Sequence, residues 1–262
     1  MDDRERVLAH VAALLPVVRR PLLVAVDGPD GVGKTHFADA LADHLRAGGR
    51  AVARSSVDDF HHPRAHRHAL GRTPEAVWTR HFDYQALRRE LLEPWLAGPG
   101  ASYRPAWHDV ARDEHVDAPR ASVPEAGVLV VDGVFAQRPE ITRAWDLVVF
   151  LDAPPEVTVA RMAARDGSPA DPEHPDQRRY LDAQRIYAEA CRPRDQADVV
   201  VDNTDLDAPR LVPAADSVAE PPPGWEVDGD DLVRTVRVPR GSLAAAAAVD
   251  RLAPPPEAAE NP

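Results

Sequence analysis

Eight residues, Gly28-Pro29-Asp30-Gly31-Val32-Gly33-Lys34-Thr35, constrain what this chain can fold into more than any others. They read G-x-x-x-x-G-K-[ST]. An apolar run, Leu22-Leu23-Val24-Ala25-Val26, leads into them, and Phe37, Ala38, Ala40, Leu41, Ala42 and Leu45 follow at helical spacing. The pattern carries weight only in this setting of strand, loop and helix. Its glycines let successive backbone N–H groups turn inward as an anion-binding nest, and the helix adds its positive end beneath. The expectation is a phosphate cradle made by Gly28, Asp30, Gly31, Val32, Gly33, Lys34 and Thr35. Lys34 would reach the β- and γ-phosphates of a nucleotide, and the Thr35 hydroxyl would ligate Mg²⁺. Lysine is otherwise absent: of 31 basic residues, Lys34 alone is not arginine.

The rest of the chain alternates short apolar strands with helices. A helix is expected over 4–19, with Val7, Leu8, Val11, Leu14, Leu15 and Val18 on one face and Pro16 able to shorten it. Strands are expected at 22–27, 51–53, 128–132, 147–152 and 199–201. Helices are expected at 34–47, ended by Gly48-Gly49, and at 84–97, 154–165 and 177–191. Residues 61–82 are rich in His, Arg and Pro without apolar periodicity and read as a long loop. A polar insert spans 168–176. This alternation predicts an α/β fold with a doubly wound parallel sheet. Ligands of such sheets sit beyond the carboxyl ends of the strands, which puts Asp58, Asp132 and Asp152 on the edge that carries the glycine loop.

Phosphoryl transfer needs charge neutralisation, alignment and an acceptor for the incoming hydroxyl's proton. Asp132, ending an apolar strand, is the natural Mg²⁺ partner beside Thr35, directly or through Thr35. Asp58 and Asp59 are both placed to take a proton, with their side chains on opposite sides of extended chain. Arg161 and Arg165 are four apart on a helix and share a face. On a closing flap they would neutralise charge on the transferred group. His61, His62, His66 and His68 lack the companions that complete a zinc pattern.

The order of motifs over 20–205 resembles the uridine kinase branch of the P-loop nucleoside and small-metabolite kinases. Val57-Asp58-Asp59-Phe60-His61 is similar to that branch's D-[SD]-F-[YH], whose first acid is the proposed base, which favours Asp58. His81-Phe82-Asp83-Tyr84 resembles the segment whose Asp holds ribose hydroxyls. Tyr103 and His108, five apart, resemble the pair that contacts the base. Leu129 to Phe135 resembles the strand ending in E-G-[IV], Arg161 to Asp166 the arginine-rich flap, Arg179-Tyr180 with Tyr187 the helix after it, and Ala197 to Asn203 the closing A-D-x-x-[IV]-D-N strand. The resemblance implies transfer of the γ-phosphate of Mg·ATP to a nucleoside-like hydroxyl, with Asp83, Tyr103, His108 and Arg179 on the acceptor. Asp132 stands where those kinases mostly carry Glu, Met162 interrupts the arginine pair, and Asp30 and Val32 replace small loop residues. A kinase of another small alcohol, or a nucleotide-binding switch or scaffold, is the alternative reading.

Net charge is −12, which argues against a nucleic-acid surface. The charged N-terminus and the lack of a membrane-length apolar run argue against a leader or membrane anchor. Cys191, the single cysteine, excludes an internal disulfide and fits a reducing, cytoplasmic setting. Self-association is compatible with the sequence. Three units are expected: a kinase domain over 1–205, a Pro/Ala-rich linker over 206–224, and an appendage over 225–262. In the appendage a hairpin turns at Asp228-Gly229 and a helix covers 242–252. Its opening is similar to the pterin carbinolamine dehydratase family, whose His-His-Pro site would fall at Glu260-Asn261-Pro262, where no histidine stands.

Overall fold

The computed structural model describes residues 2–213, 226–228 and 231–233. Its centre is a six-stranded sheet. In chain order the strands are β1 (Leu22–Asp27), β2 (Val52–Ser56), β3 (Val128–Asp132), β4 (Leu147–Asp152), β5 (Val199–Asp202) and β6 (Arg210–Leu211). In space they run β2-β3-β1-β4-β5-β6, all parallel except β6, which is antiparallel to β5. β1 therefore has a neighbour on each side, and every one of its residues is buried. The all-apolar strand signature is what a sheet covered on both faces requires. Arg210 and Leu211 still pair with Asp202 and Val201, so the chain belongs to the sheet beyond the composition change at 206.

Alternation along the strands divides the core in two. Leu22, Val24, Val26, Val128, Val130, Val149 and Val201 face one side. There they meet helices α1 (Asp3–Ala13) and α2 (Lys34–Ala47) through Val7, Val11, Phe37 and Leu41. Leu23, Ala25, Leu129, Val131 and Val148 face the other side, against Leu87, Leu91, Trp95 and Tyr187. Helix α1 stops before Pro16, shorter than the 4–19 expected, and leaves Val18 partly exposed while Leu15 stays buried.

Residues 61–82 are not a structureless loop. They hold α3 (Arg64–Arg67) and α4 (Pro74–Arg80), the latter capped by Thr73 with Pro74 in its first turn. This Thr-Pro start signal is present in the sequence, but both helices are too short to show a period. Helix α5 spans 84–97 and contains a π turn at Arg88–Leu92. Pro94 explains it: with no N–H and a ring that crowds the preceding turn, it forces the ladder to shift, and Glu93 N–H reaches back five residues to Arg88. The Glu90 carbonyl, which residue 94 would otherwise bond, accepts the Arg104 amide at 2.8 Å instead. The Glu90 carboxylate accepts from Arg89 at 2.9 Å and from Arg120 at 2.8 Å. A small ribbon at 102–103 with 121–122 is tied to α5 this way, and a second pairs 108–109 with 114–115. The remaining long helices are α6 (Pro155–Asp166) and α7 (Pro175–Cys191).

Glu226–Asp228 and Asp231–Val233 pair antiparallel with Asp228 opposite Asp231, at the turn expected at Asp228-Gly229. The expected helix at 242–252 and the Glu260-Asn261-Pro262 position lie outside the described residues. Among the described residues no helix is long and apolar enough to cross a membrane.

Leu129 is fully buried on the central strand next to β1. Leu129→Ala should lower unfolding stability by about 2–5 kcal/mol, read as a lower urea midpoint with an unchanged slope.

Candidate active site

The loop after β1 lies where glycine is needed. Gly28, Gly31 and Gly33 have φ of +146°, +76° and +99°, a region that L side chains avoid. A Cβ on Gly28 would stand 2.4 Å from the Leu151 carbonyl oxygen, and one on Gly31 would stand 2.3 Å from that of Thr158. The loop is thus pressed against β4 and α6. Helix α2 then begins at Gly33 with no side-chain cap and no acid in its first turn, whereas α1 and α4 are capped by Asp2 and Thr73. Its first amides and positive dipole end face the loop's concavity, the arrangement that receives an anion. Lys34 Nζ donates to the carbonyls of Gly28 at 3.0 Å and Pro29 at 2.8 Å, and lies 3.9 Å from Asp30.

Thr35 Oγ1 donates to Asp132 Oδ2 at 2.8 Å. With its proton directed there, the hydroxyl's lone pairs are available to a cation. Asp132 is almost fully buried, and its other oxygen accepts from Arg54 Nη2 at 2.8 Å. Arg54 also holds Asp39 at 2.9 Å. Thr35 and Asp132 fit a partly hydrated Mg²⁺, which favours few protein oxygens, with Thr35 in front and Asp132 behind it.

Asp27, the last residue of β1, is a buried acid that the sequence reading passed over. It accepts from the Gly28 amide at 2.8 Å, from Gln137 Nε2 at 3.0 Å and from the Tyr187 hydroxyl. Burial pushes its pKa up, against those hydrogen bonds. Its position at a strand end, like Asp132 and Asp152, was the available signal. Phe135, three residues past Asp132, holds φ +60°. A bulky residue in that region marks backbone held by its surroundings. Here they are Trp78 and Tyr187, with ring centroids 5.2 and 5.1 Å away.

A cavity of 460 Å³ opens beside the loop. Asp30 and Asp58 stand on its wall with Val134 and Phe135, α3 and α4 contribute Arg67 and Val77, and α6 and α7 contribute Arg165, Arg179 and Tyr180. Asp58 is exposed to water at this cavity, with protein crowded around it on the remaining sides. Burial, then repulsion from Asp30, lift its pKa to about 6; Lys34 opposes this, while Asp132 and Asp59 add to it. Asp59 is turned away and accepts the Ser56 amide at 3.1 Å in a capping box. His61 and His81 share the wall, and burial lowers their pKa values to about 4 and about 3.

The other expected residues divide. Arg165 and Arg179 line the cavity. Arg161 does not share Arg165's surroundings. It donates to the carbonyls of Val32 at 3.3 Å, Asn203 at 3.0 Å and Thr204 at 2.7 Å, fastening the glycine loop to the end of β5. Asp83 caps α5 through the Ala86 amide at 2.9 Å. Tyr103 packs edge-on against Trp95 with centroids 5.4 Å apart, and His108 is buried in its ribbon, 3.6 Å from Asp113. None of these three is among the residues that line the cavity; Val110, two residues past His108, is. Tertiary placement decided this, because a five-residue spacing says nothing about which way a two-residue strand faces.

A profile of the AAA domain family matches residues 24–186, more than half of the chain. No curated protein matches it. Among solved structures, a possible uridine kinase from Bacillus stearothermophilus is 26% identical with a TM-score of 0.59, over 76% of this chain and 97% of its own. A candidate fructose transport system kinase from Silicibacter sp. TM1040 is 24% identical with a TM-score of 0.58, over 72% and 95%. A D-glycerate 3-kinase from Cryptococcus neoformans var. grubii is 13% identical with a TM-score of 0.54, over 80% and 99%. The last two likenesses are of fold. With a glycine loop pressed between β4 and α6 and a sheet arranged as in these kinases, the chain belongs to the AAA domain family of P-loop proteins.

Proposed function

We propose that this protein is a phosphotransferase that moves the γ-phosphoryl group of ATP to a hydroxyl of a small molecule held in the 460 Å³ cavity. The observation that carries the reading is the placement of Asp58, a carboxylate with a pKa near 6, on the wall of a cavity that opens at the phosphate loop. A switch or scaffold would need no such base. The likeness to a possible uridine kinase supports the class of reaction; a nucleoside remains one candidate acceptor among small alcohols.

The backbone from Gly28 to Thr35 holds the donor's phosphates, and Lys34 exchanges its two carbonyl partners for them. Thr35 would hold Mg²⁺, with Asp132 orienting the Thr35 hydroxyl and Arg54 holding Asp132 in place. When bound, the metal neutralises phosphate charge and aligns the transferred group. Asp58 accepts the acceptor's hydroxyl proton as the oxygen attacks phosphorus and ADP leaves with the bridging oxygen's electron pair. A base with a pKa just below the working pH is ionised while remaining basic enough to help. Arg165, on the rim, supports the charge of the transferred group. Arg161 shapes the loop.

The test is acceptor-stimulated ADP release across nucleosides and small alcohols. Lys34→Ala should abolish Mg²⁺-dependent ATP affinity. Asp58→Asn should retain it and lose transfer by roughly 10²- to 10⁴-fold; normal transfer in that variant would remove Asp58 from the chemistry.

The pH dependence follows from the same carboxylate. Its folded pKa of about 6 lies above the 3.8 ordinary for an aspartate, so the native state binds the proton first. Transfer should fall tenfold per unit as pH drops below about 6, and that limb should vanish with Asp58. Stability should move oppositely: the charged form costs the native state at neutral pH, and the cost is relieved between about pH 6 and 4. Asp58→Asn should therefore melt above the parent protein at pH 7.5 in calorimetry.

A further inference from the structure

The cavity wall carries four carboxylates and three guanidiniums, and two of the guanidiniums are not held by any of those acids. Of its four carboxylates, Asp166 is held by Arg165 at 2.8 Å and Asp176 by Arg72 at 2.9 Å. Asp30 lies 3.9 Å from Lys34 and accepts from Gln184 at 3.4 Å. Asp58 stands beside that same loop. Arg67 and Arg179 are left.

Arg67 is only 8% exposed. Its Nε is buried with no hydrogen-bond partner among the described residues. Its nearest carboxylate, Asp113, is 3.6 Å away and already accepts the Arg64 amide at 2.6 Å. Arg179 has no carboxylate within 4 Å among the described residues; its Nη2 donates to the Tyr180 hydroxyl at 3.0 Å, its plane lies 4.5 Å from the Tyr180 ring, and its Nε is also buried without a partner. Both guanidiniums line the same cavity as His81. His81 and His61 are neutral there and contribute no charge of their own. Val77 and Phe82 make the surroundings apolar. Buried guanidinium donors without partners are costly, and their fork geometry suits a carboxylate or phosphate.

We infer that the acceptor is a small anionic alcohol, a hydroxy acid or a phosphorylated polyol, whose anionic group is bound by Arg67 and Arg179 and whose hydroxyl faces Asp58. This rests on the phosphotransferase reading for the hydroxyl, and on the arginine pair alone for the anion. It gives the chain a specificity distinct from that of a kinase for neutral nucleosides, and it assigns Arg67, from a segment with no sequence motif, a direct contact with substrate.

The experiment is calorimetric titration of the full chain with Mg²⁺ and a non-hydrolysable ATP analogue, so that the phosphate loop is filled. Matched probes are glycerate against glycerol, ribose 5-phosphate against ribose, and uridine. Glycerate and ribose 5-phosphate separate carboxylate from phosphate as the preferred anion. At least one anionic probe should bind tenfold or more tightly than its neutral partner, about 1.4 kcal/mol. Arg67→Gln and Arg179→Gln should each erase that preference; the second, at the less buried position, covers any loss of folding in the first, and a melting curve accompanies both. Equal affinity within both pairs, uridine as the tightest ligand, no binding by any probe, or variants that weaken the nucleotide analogue instead of the anion would each overturn the inference. Anion binding without acceptor-stimulated ADP release would sink the transfer reading and leave the anion site standing.

Discussion

A strand paired on both edges and covered on both faces has only its ends available for function. β1 is such a strand, and the structure follows from how its carboxyl end is resolved. The chain must turn at once, close to the backbone of β4 and α6, and only residues without Cβ can do so at Gly28 and Gly31. The same turn delivers an uncapped helix N-terminus to the edge of the sheet. Tight packing and anion affinity are thus one constraint: glycines that let the loop approach its neighbours also free its amides to face inward.

Asp27 shows how closely that turn is supervised. It is a buried carboxyl directly before the loop, held from α7 by Tyr187 and from the segment after β3 by Gln137, which also donates to the Pro193 carbonyl at 2.9 Å. On the other side, Arg161 and Asn203 bond the Val32 carbonyl, Asn203 at 2.7 Å. Contacts from α6, α7 and the end of β5 therefore converge on eight residues. Asp132 belongs to the same pattern, fixed between Thr35 and Arg54. The edge is a network of satisfied polar groups, and such networks hold a site to one geometry.

Much of this was legible in the sequence, for identifiable reasons. Fully apolar runs ending in an acid gave β1, β3 and β4, and the glycine motif gave the loop, because these are local patterns with a strong physical cause. The segment 61–82 was misread because four- and seven-residue helices show no period, and Arg67 with it, one arginine among many. Tyr103 and His108 stand five apart as the resemblance asks, but neither they nor Asp83 are among the residues that line the cavity. Arg161 and Arg165 do share a helix, yet one turn of it suffices to put the first on backbone carbonyls and the second at the cavity. Spacing reports the face of an element; what that face meets is decided elsewhere in the chain.

The π turn in α5 has a consequence for how the ribbons over 102–122 stay attached. Pro94 cannot donate, so the carbonyl of Glu90 turns outward and takes the Arg104 amide, while the carboxylate of the same residue gathers Arg89 and Arg120. One residue thereby serves as a mooring for a whole excursion of the chain. A substitution that mended the helix would remove that mooring, so the irregularity and the excursion would have to be gained or lost together.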